Sequence, residues 1–359
     1  MSLKNVLAFL AAAQAVTADS SHPVYFRKAG ADTAKGVAAF KSLALASTGD
    51  GSLVNEQGFW FSHFTIGASK DLEILIDTGS SDAIMNPGIY QPSSTSQDQK
   101  RRFRIAYSTT NPDGSGSLAA SGQVYHDVIT QLGANLTVSQ QALGAIDSPS
   151  APPTFPHDGL IGYAGLDRAA LREKPFFLSL CDSGALSACR FGLAFRTDGT
   201  GQLHYGTVAT DEFSGELTAV PTTGLWALNG SATVNGKTVV GNIAITTDSG
   251  TTVIFGPKEA VKKLFKAAGI TAKNTGSTIE GHYDCAKPPT VGFNLGGKNF
   301  NIDPKALAFK QDEKGNDCTA SIFGTADFGS NWLVGQAFFQ GRYIDHNVDD
   351  ETMGFADLK

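Results

Sequence analysis

Residues 74–85 read ILIDTGSSDAIM, and residues 243–255 read IAITTDSGTTVIF. Each stretch runs an apolar, strand-like segment into an aspartate, then a small hydroxyl residue, a glycine and a further pair of hydroxyl residues. A carboxylate at a strand end followed by glycine belongs on a tight turn, where backbone N–H and side-chain O–H groups point at it and keep it ionised and oriented. One such turn is an ordinary surface feature. Its repetition, at Asp77 and Asp248, asks for a joint explanation.

Bringing the two turns together changes their chemistry. Two carboxylates within hydrogen-bonding distance do not both ionise readily, so they share a proton, and one is a base while the other is an acid at the same pH. That pairing suits attack of water on an amide: the base takes a proton from water and the acid protonates the carbonyl oxygen. No metal, cofactor or covalent intermediate is required. The expected reaction is amide hydrolysis, favoured by acid.

Length and composition set the frame. With 359 residues the chain exceeds what one hydrophobic core usually serves, which predicts two lobes and fits a duplicated motif. Only 17% of residues are charged and there are 40 glycines, a balance that favours short strands and tight turns and gives a mainly β class. The formal net charge of −6, with no basic cluster interleaved with aromatics, argues against nucleic acid as a partner.

The opening MSLKNVLAFLAAAQAVTADS places Lys4, an apolar run and a small-residue site in the order of a secretory signal peptide, residues 1–18, cleaved near Ala18. A buried N-terminal helix is the alternative. No later apolar run approaches membrane-spanning length, and GFADLK at the end predicts no lipid anchor. Residues 19–50 carry Arg27, Lys28, Lys35 and Lys41 and end in Ser, Gly and Asp, which reads as a basic propeptide with an exposed cleavage zone, or as an ordinary N-terminal arm. A basic strip on a more acidic body would be a temporary clamp. The expected product is exported, with residues 51–200 and 201–359 forming the N-terminal and C-terminal lobes.

Four cysteines suit an oxidising compartment: Cys181 and Cys189 bracket DSGALSA, and Cys285 and Cys318 stand further on. They are disulfide candidates, with free thiols the alternative. Asn135 in NLT and Asn229 in NGS are glycosylation acceptors by sequence. Hairpin signals occur in TVNGKTVV and FNLGGKNFNI, and helix patterns in GLDRAALREK and in PKEAVKKLFKAAG, the latter with Pro257 at its start and Gly269 at its end. NGSATVNGKT looks like a phosphate loop but has five residues rather than four between Gly230 and Gly236, so it reads as a hairpin. His22, His63, His126, His157, His204, His282 and His346 show no metal-ligand spacing, and no G-x-S-x-G elbow is present. Trp60, Trp226 and Trp332 lie in strand-like runs and are expected in the core, with a substrate contact the minority reading for Trp226.

From about residue 55 to the C-terminus the sequence resembles the pepsin-type aspartic proteases, particularly fungal ones. The carriers are DTGSS at Asp77, DSGTT at Asp248, the threading segments DGLIG ending at Gly162 and WLVG ending at Gly335, the YG at Tyr205, and the terminal GFA. The resemblance implies a bilobal β fold with a central cleft, and a secreted zymogen whose dyad is Asp77 and Asp248. It implies that Thr78 and Ser249 lock the turns together, that Ser80 and Thr251 bond the outer carboxylate oxygens, and that Gly79 and Gly250 allow close backbone approach. Tyr107 matches the flap tyrosine, and Cys285 with Cys318 matches the family's second-lobe disulfide. It further implies a monomer acting on proteins or peptides, preferring apolar residues near the scissile bond and held inactive by its own propeptide, with Lys35 or Lys41 pairing with the dyad. Vacuolar residence is the alternative to secretion.

The departures are specific. YSTTNPDGSGSLAASG makes a longer flap with PDGS as a candidate tip; Ile84 stands where a tryptophan commonly partners the flap tyrosine; Thr246 and Thr247 replace apolar residues; and Gln336 replaces an aspartate. None removes a catalytic group; the altered flap and Ile84 feed the rival reading, a non-hydrolytic binding protein on the same fold, against which both aspartates argue.

Overall fold

Two copies of one local arrangement organise the molecule, whose computed structural model describes residues 20–27, 59–108, 117–149, 155 and 157–359. In the first half, the strand Ser69–Asp77 pairs antiparallel with Phe59–Ile66, and Gly159–Gly162 runs parallel along its other edge so that Asp77 faces Gly162. The same short strand pairs antiparallel with Ala83–Met85, so the chain leaving the Asp77 turn folds back beside the segment threaded behind it. In the second half, Lys237–Thr247 pairs antiparallel with Ala227–Val234, and Trp332–Val334 lies parallel to it and antiparallel to Ile254–Pro257.

A strand inserted this way is covered on both faces, which is why GLIG is entirely buried and WLV nearly so. Each insertion ends in a glycine for a steric reason. A Cβ at Gly162 would run into the backbone of Ser80 and Ser81, and one at Gly335 into the carbonyl oxygens of Thr251 and Val253.

A further layer joins the halves. Strands 20–27, 200–205, 190–195, 342–347, 352–357 and 218–224 pair antiparallel in that order. Its first strand also pairs with residues 59–61 and its last with 227–228, so the layer is continuous with both sheets. The hairpin 190–205 spans the boundary drawn at 200/201. The core runs beneath it: Trp60 stacks on Phe195 with ring centroids 3.9 Å apart, and Phe191 meets Trp226 edge-on at 5.5 Å. Trp60, Trp226 and Trp332 are all at most 1% exposed, as expected of core residues.

The expected hairpins form. Asn235 and Gly236 turn with φ of 49° and 73°, and Gly296 and Gly297 with 58° and 86°, the left-handed pair that matches strand twist. Lys258–Ala268 is the expected helix, capped by Pro257 and by Gly269 at φ 71°. The other helix pattern is corrected. GLDRAALREK gives only a 3-10 turn at Leu166–Arg168, because the Asp82 carboxylate takes the N–H groups of Ala170 and Leu171 and Arg172 turns left-handed at φ 55°. The helix comes one step later, at Phe176–Asp182 behind Pro175. The signal-peptide residues 1–18, Lys35, Lys41 and the PDGS stretch at 112–115 lie outside the described residues.

Candidate active site

The strand ends at 77 and 247 deliver two aspartates to one place, each held by the same local contacts. Asp77 Oδ1 accepts from the Gly79 N–H at 2.8 Å and Oδ2 from the Ser80 hydroxyl at 2.5 Å. Asp248 Oδ1 accepts from the Gly250 N–H at 2.8 Å and Oδ2 from the Thr251 hydroxyl at 2.6 Å. Across the halves, the Thr78 N–H donates to Ser249 Oγ at 3.0 Å and the Ser249 N–H donates to Thr78 Oγ1 at 2.9 Å; the Ser249 hydroxyl in turn donates to the Ile76 carbonyl at 2.7 Å.

The two carboxyl groups face each other across the glycines of the two turns, and they are only 7% and 8% exposed. Burial first, and the adjacent Asp248 charge second, push the Asp77 carboxyl up to about 7, against the opposing donors Ser80 and Gly79. The glycines make this contact possible. A Cβ on Gly79 would stand 2.6 Å from the Asp248 Cγ, and one on Gly250 would stand 2.8 Å from the Asp77 Cγ. A proton shared by two carboxyl groups, with every other oxygen contact fixed, is an acid and a base in one site.

Several supporting groups were not singled out for these roles by sequence. Gln336 is fully buried, and its amide donates to the Ser249 carbonyl at 2.6 Å while its backbone N–H donates to the Thr251 carbonyl at 2.8 Å. Asp82, 4% exposed, anchors the loop behind the first turn through Ala170 and Leu171. The unusual threonines before Asp248 are also used: the Thr247 hydroxyl donates to the Trp226 carbonyl at 3.0 Å, and Thr246 Oγ1 accepts from the Asn331 amide at 2.9 Å. Trp226 adds a link between the halves, its indole N–H donating to the Tyr163 carbonyl at 2.8 Å. Only the D-[T/S]-G pattern itself signals the site locally; these partners arrive through the fold.

Tyr107 packs edge-on against Phe155, with centroids 4.8 Å apart. Its hydroxyl is buried beside Ser80 without a well-formed hydrogen bond, and burial together with the Asp82 and Asp77 charges holds it well above the usual phenol range. Ile84 is fully buried and offers no polar atom to it.

The remaining sequence candidates are elsewhere. Cys181 is bonded to Cys189, and Cys285 to Cys318. Asn135 is exposed in a turn at φ 55°, and Asn229 is exposed on the strand Ala227–Val234. His63, His157 and His204 pair with Asp71, Glu73 and Glu212, and His282 lies between Asp317 and Glu280; among the described residues no group of His, Cys, Asp and Glu is arranged to hold a metal ion. In the basic run 100–104, Lys100, Arg101 and Arg102 pair with Asp98, Glu173 and Asp147.

Comparison with known proteins gives the family. A family model described as eukaryotic aspartyl protease matches residues 59–358. Secreted aspartyl protease 1 of Malassezia globosa is 29% identical over 313 residues, covering 84% of this chain and 74% of that protein. An aspartic protease of Phaffia rhodozyma is 29% identical over 330 residues, 85% of this chain and 78% of that protein. The crystal structure of the aspartic proteinase from Irpex lacteus matches with a TM-score of 0.70 at 21% identity, over 84% of this chain and 95% of that one, a likeness of fold.

Proposed function

This chain belongs to the eukaryotic aspartyl protease family and is an aspartic-type endopeptidase, and we propose that Asp77 and Asp248 carry its chemistry by sharing one proton. The observation that carries this reading is the close approach of two buried carboxyl groups on matching turns, one of them pushed up to about 7. With one proton between them, the ionised carboxylate draws a proton from a water held at the pair, and that water attacks the peptide carbonyl. The protonated partner donates to the carbonyl oxygen as the tetrahedral centre forms. Collapse then returns a hydroxyl proton of the tetrahedral centre to the pair as the departing amine takes one from it, which leaves the single shared proton of the starting state.

Ser80 and Thr251 donate to Oδ2 of Asp77 and Asp248, and the Gly79 and Gly250 N–H groups donate to Oδ1, so both carboxyl groups are held in place while the proton moves between them. Thr78 and Ser249 keep the turns in register. An extended peptide would lie across the open side of the turns as an added strand, with apolar side chains near the scissile bond and Tyr107 contributing to its cover.

The enzyme acts outside the cell as a monomer, after losing residues 1–18 as a signal peptide and 19–50 as a propeptide that inhibits it until acid activation. The secreted relative supports export. The strand Ser20–Arg27, within the proposed propeptide, pairs with 200–205 and 59–61, which supports a prosegment docked on the body of the enzyme.

The test is cleavage of acid-denatured haemoglobin by the acid-treated protein, with and without a statine-type inhibitor and with Asp77→Asn or Asp248→Asn. Inhibitor-sensitive cleavage lost in both variants is the expected result. A folded protein that cleaves nothing, or a variant that keeps turnover, overturns the dyad.

A further inference from the structure

The mouth above the two carboxyls holds a cation that the proposed chemistry does not use. Gly79, Ser80, Gly250 and Thr252 are the partly exposed members of the two turns, so the buried aspartates are approached past them. Beside Gly79 stands the 3-10 turn Leu166–Arg168, none of whose residues is buried. Arg168 extends its guanidinium toward the turn, with Nη1 at a long 3.4 Å from the Gly79 carbonyl oxygen. That residue's own N–H is bonded to Asp77, and a Cβ on it would touch Asp248. The charge is therefore one residue removed from the reacting groups.

Three features make Arg168 available to a ligand. Among the described residues no carboxylate pairs with it: Asp167 is its neighbour in the turn without forming an ion pair, and Asp82 is occupied by the N–H groups of Ala170 and Leu171. The turn is fixed from behind, because the Ser81 hydroxyl donates to the Gly165 carbonyl at 2.5 Å and the Ala164 N–H to the Ser80 carbonyl at 2.8 Å. It also reaches the opposite half, since a Cβ on Gly165 would lie 3.0 Å from Leu225 Cδ2. Leu166, 52% exposed, is the one large apolar side chain among the described residues that is left open. An exposed leucine next to an unpaired guanidinium, at the lip of a peptide-binding cleft, suits a side chain with an apolar stem and a negative end.

We propose that Arg168 determines specificity: one subsite of the cleft takes a glutamate or aspartate of the substrate, its carboxylate paired with the Arg168 guanidinium. The inference rests on the reading of Asp77 and Asp248 as the hydrolytic pair. A planar fork of donors matches a carboxylate in two parallel hydrogen bonds, whereas a glutamine of the same shape gains only neutral contacts. The preference depends on the substrate's own charge, so it grows as pH rises through about 4.3, the ordinary glutamate value. The charged groups around Arg168 are Asp167 in its own turn and the two carboxyls behind Gly79.

The experiment uses the acid-activated protein and a series of octapeptides with a central Phe-Phe bond, each carrying either Glu or Gln at one flanking position. The readout is the ratio of kcat/KM for the Glu and Gln members of each pair. At pH 5 and low salt, one position is expected to favour Glu by about three- to five-fold, the range for a partly exposed ion pair. The ratio should fall toward 1 at pH 3, in about 0.5 M salt, and in Arg168→Gln, persist in Arg168→Lys, and invert in Arg168→Glu. A ratio near 1 at every position of the unaltered protein, or one that survives in Arg168→Gln, overturns the proposal. The salt and pH arms need no variant, so the test stands if a substitution impairs folding. Failure to cleave even the all-Gln peptides would instead count against the hydrolytic reading.

Discussion

Thr78 and Ser249 hold each other reciprocally: each hydroxyl oxygen accepts the backbone N–H of the other residue, at 3.0 and 2.9 Å, across the junction of the two halves. Both side chains are at most 1% exposed, so water does not replace a lost partner. Thr78→Val keeps the shape and strands the Ser249 N–H, a change expected to cost about 1–3 kcal/mol of stability. Because the same bonds set the spacing of Asp77 and Asp248, kcat should fall more than KM changes. Thermal unfolding and steady-state kinetics on Thr78→Val and Ser249→Ala measure the two effects separately; unchanged values of both would remove the lock from the proposed mechanism.

The glycines next to these residues impose a limit of space. In Gly250→Ala the new methyl group would lie 2.8 Å from the Asp77 Cγ, closer than such atoms approach. The pair must part to admit it, and the shared hydrogen bond stretches. Misplacement of this order at a reacting centre costs about 10²-fold in rate, so that loss in kcat is expected with the far-ultraviolet circular dichroism retained. Wild-type turnover in the variant would mean that close contact of the carboxyls is not needed.

The two turns were legible from sequence because everything that defines them is local: an apolar run, an aspartate, a glycine and hydroxyls within a few residues. The threading segments GLIG and WLVG were identified through the family resemblance, and the structure shows them as short apolar strands, the first buried throughout and the second nearly so. Partners supplied by the fold were not legible. Gln336 reads as a departure from family habit, yet its amide is spent on the Ser249 carbonyl 87 residues away. Asp82 cancels a helix pattern at 165–174 by taking N–H groups that the helix would have used, an override of local propensity by a contact 88 residues distant. The central layer draws strands from residue 20 to residue 357, and no local pattern carries that pairing.

An acid preference is the expected consequence of the sign of the Asp77 shift. Its folded-state value of about 7 lies above the unfolded value, so the native protein keeps a proton that the unfolded chain releases from about pH 4 upward. The resulting stabilisation is complete below the unfolded value and is lost as pH rises through about 7. Activity should end over the same upper range, because the pair then has no proton to give. Stability against urea between pH 4 and 8, compared for the unaltered protein and Asp77→Asn, should show a downward slope with pH that the variant flattens. An identical slope in both would assign the effect to other groups.

His346 sets the opposite limit. It is fully buried in the central layer, stacked on Phe191 at 4.3 Å and edge-on to Trp226 at 4.7 Å, with no well-formed partner for either ring nitrogen. Burial lowers its value to about 3, with the backbone of Ile344 and Phe191 opposing it only in part. The unfolded chain therefore binds a proton at this residue below about 6.5 that the native protein refuses, and stability falls by up to about 1.4 kcal/mol per pH unit as pH drops toward 3. Phenylalanine preserves the stacking and removes the titration. His346→Phe should thus be stabilised at pH 3.5 relative to the parent by more than it is at pH 7, and should hold activity longer in acid. If the difference between the two proteins is the same at both pH values, His346 is not what limits acid tolerance.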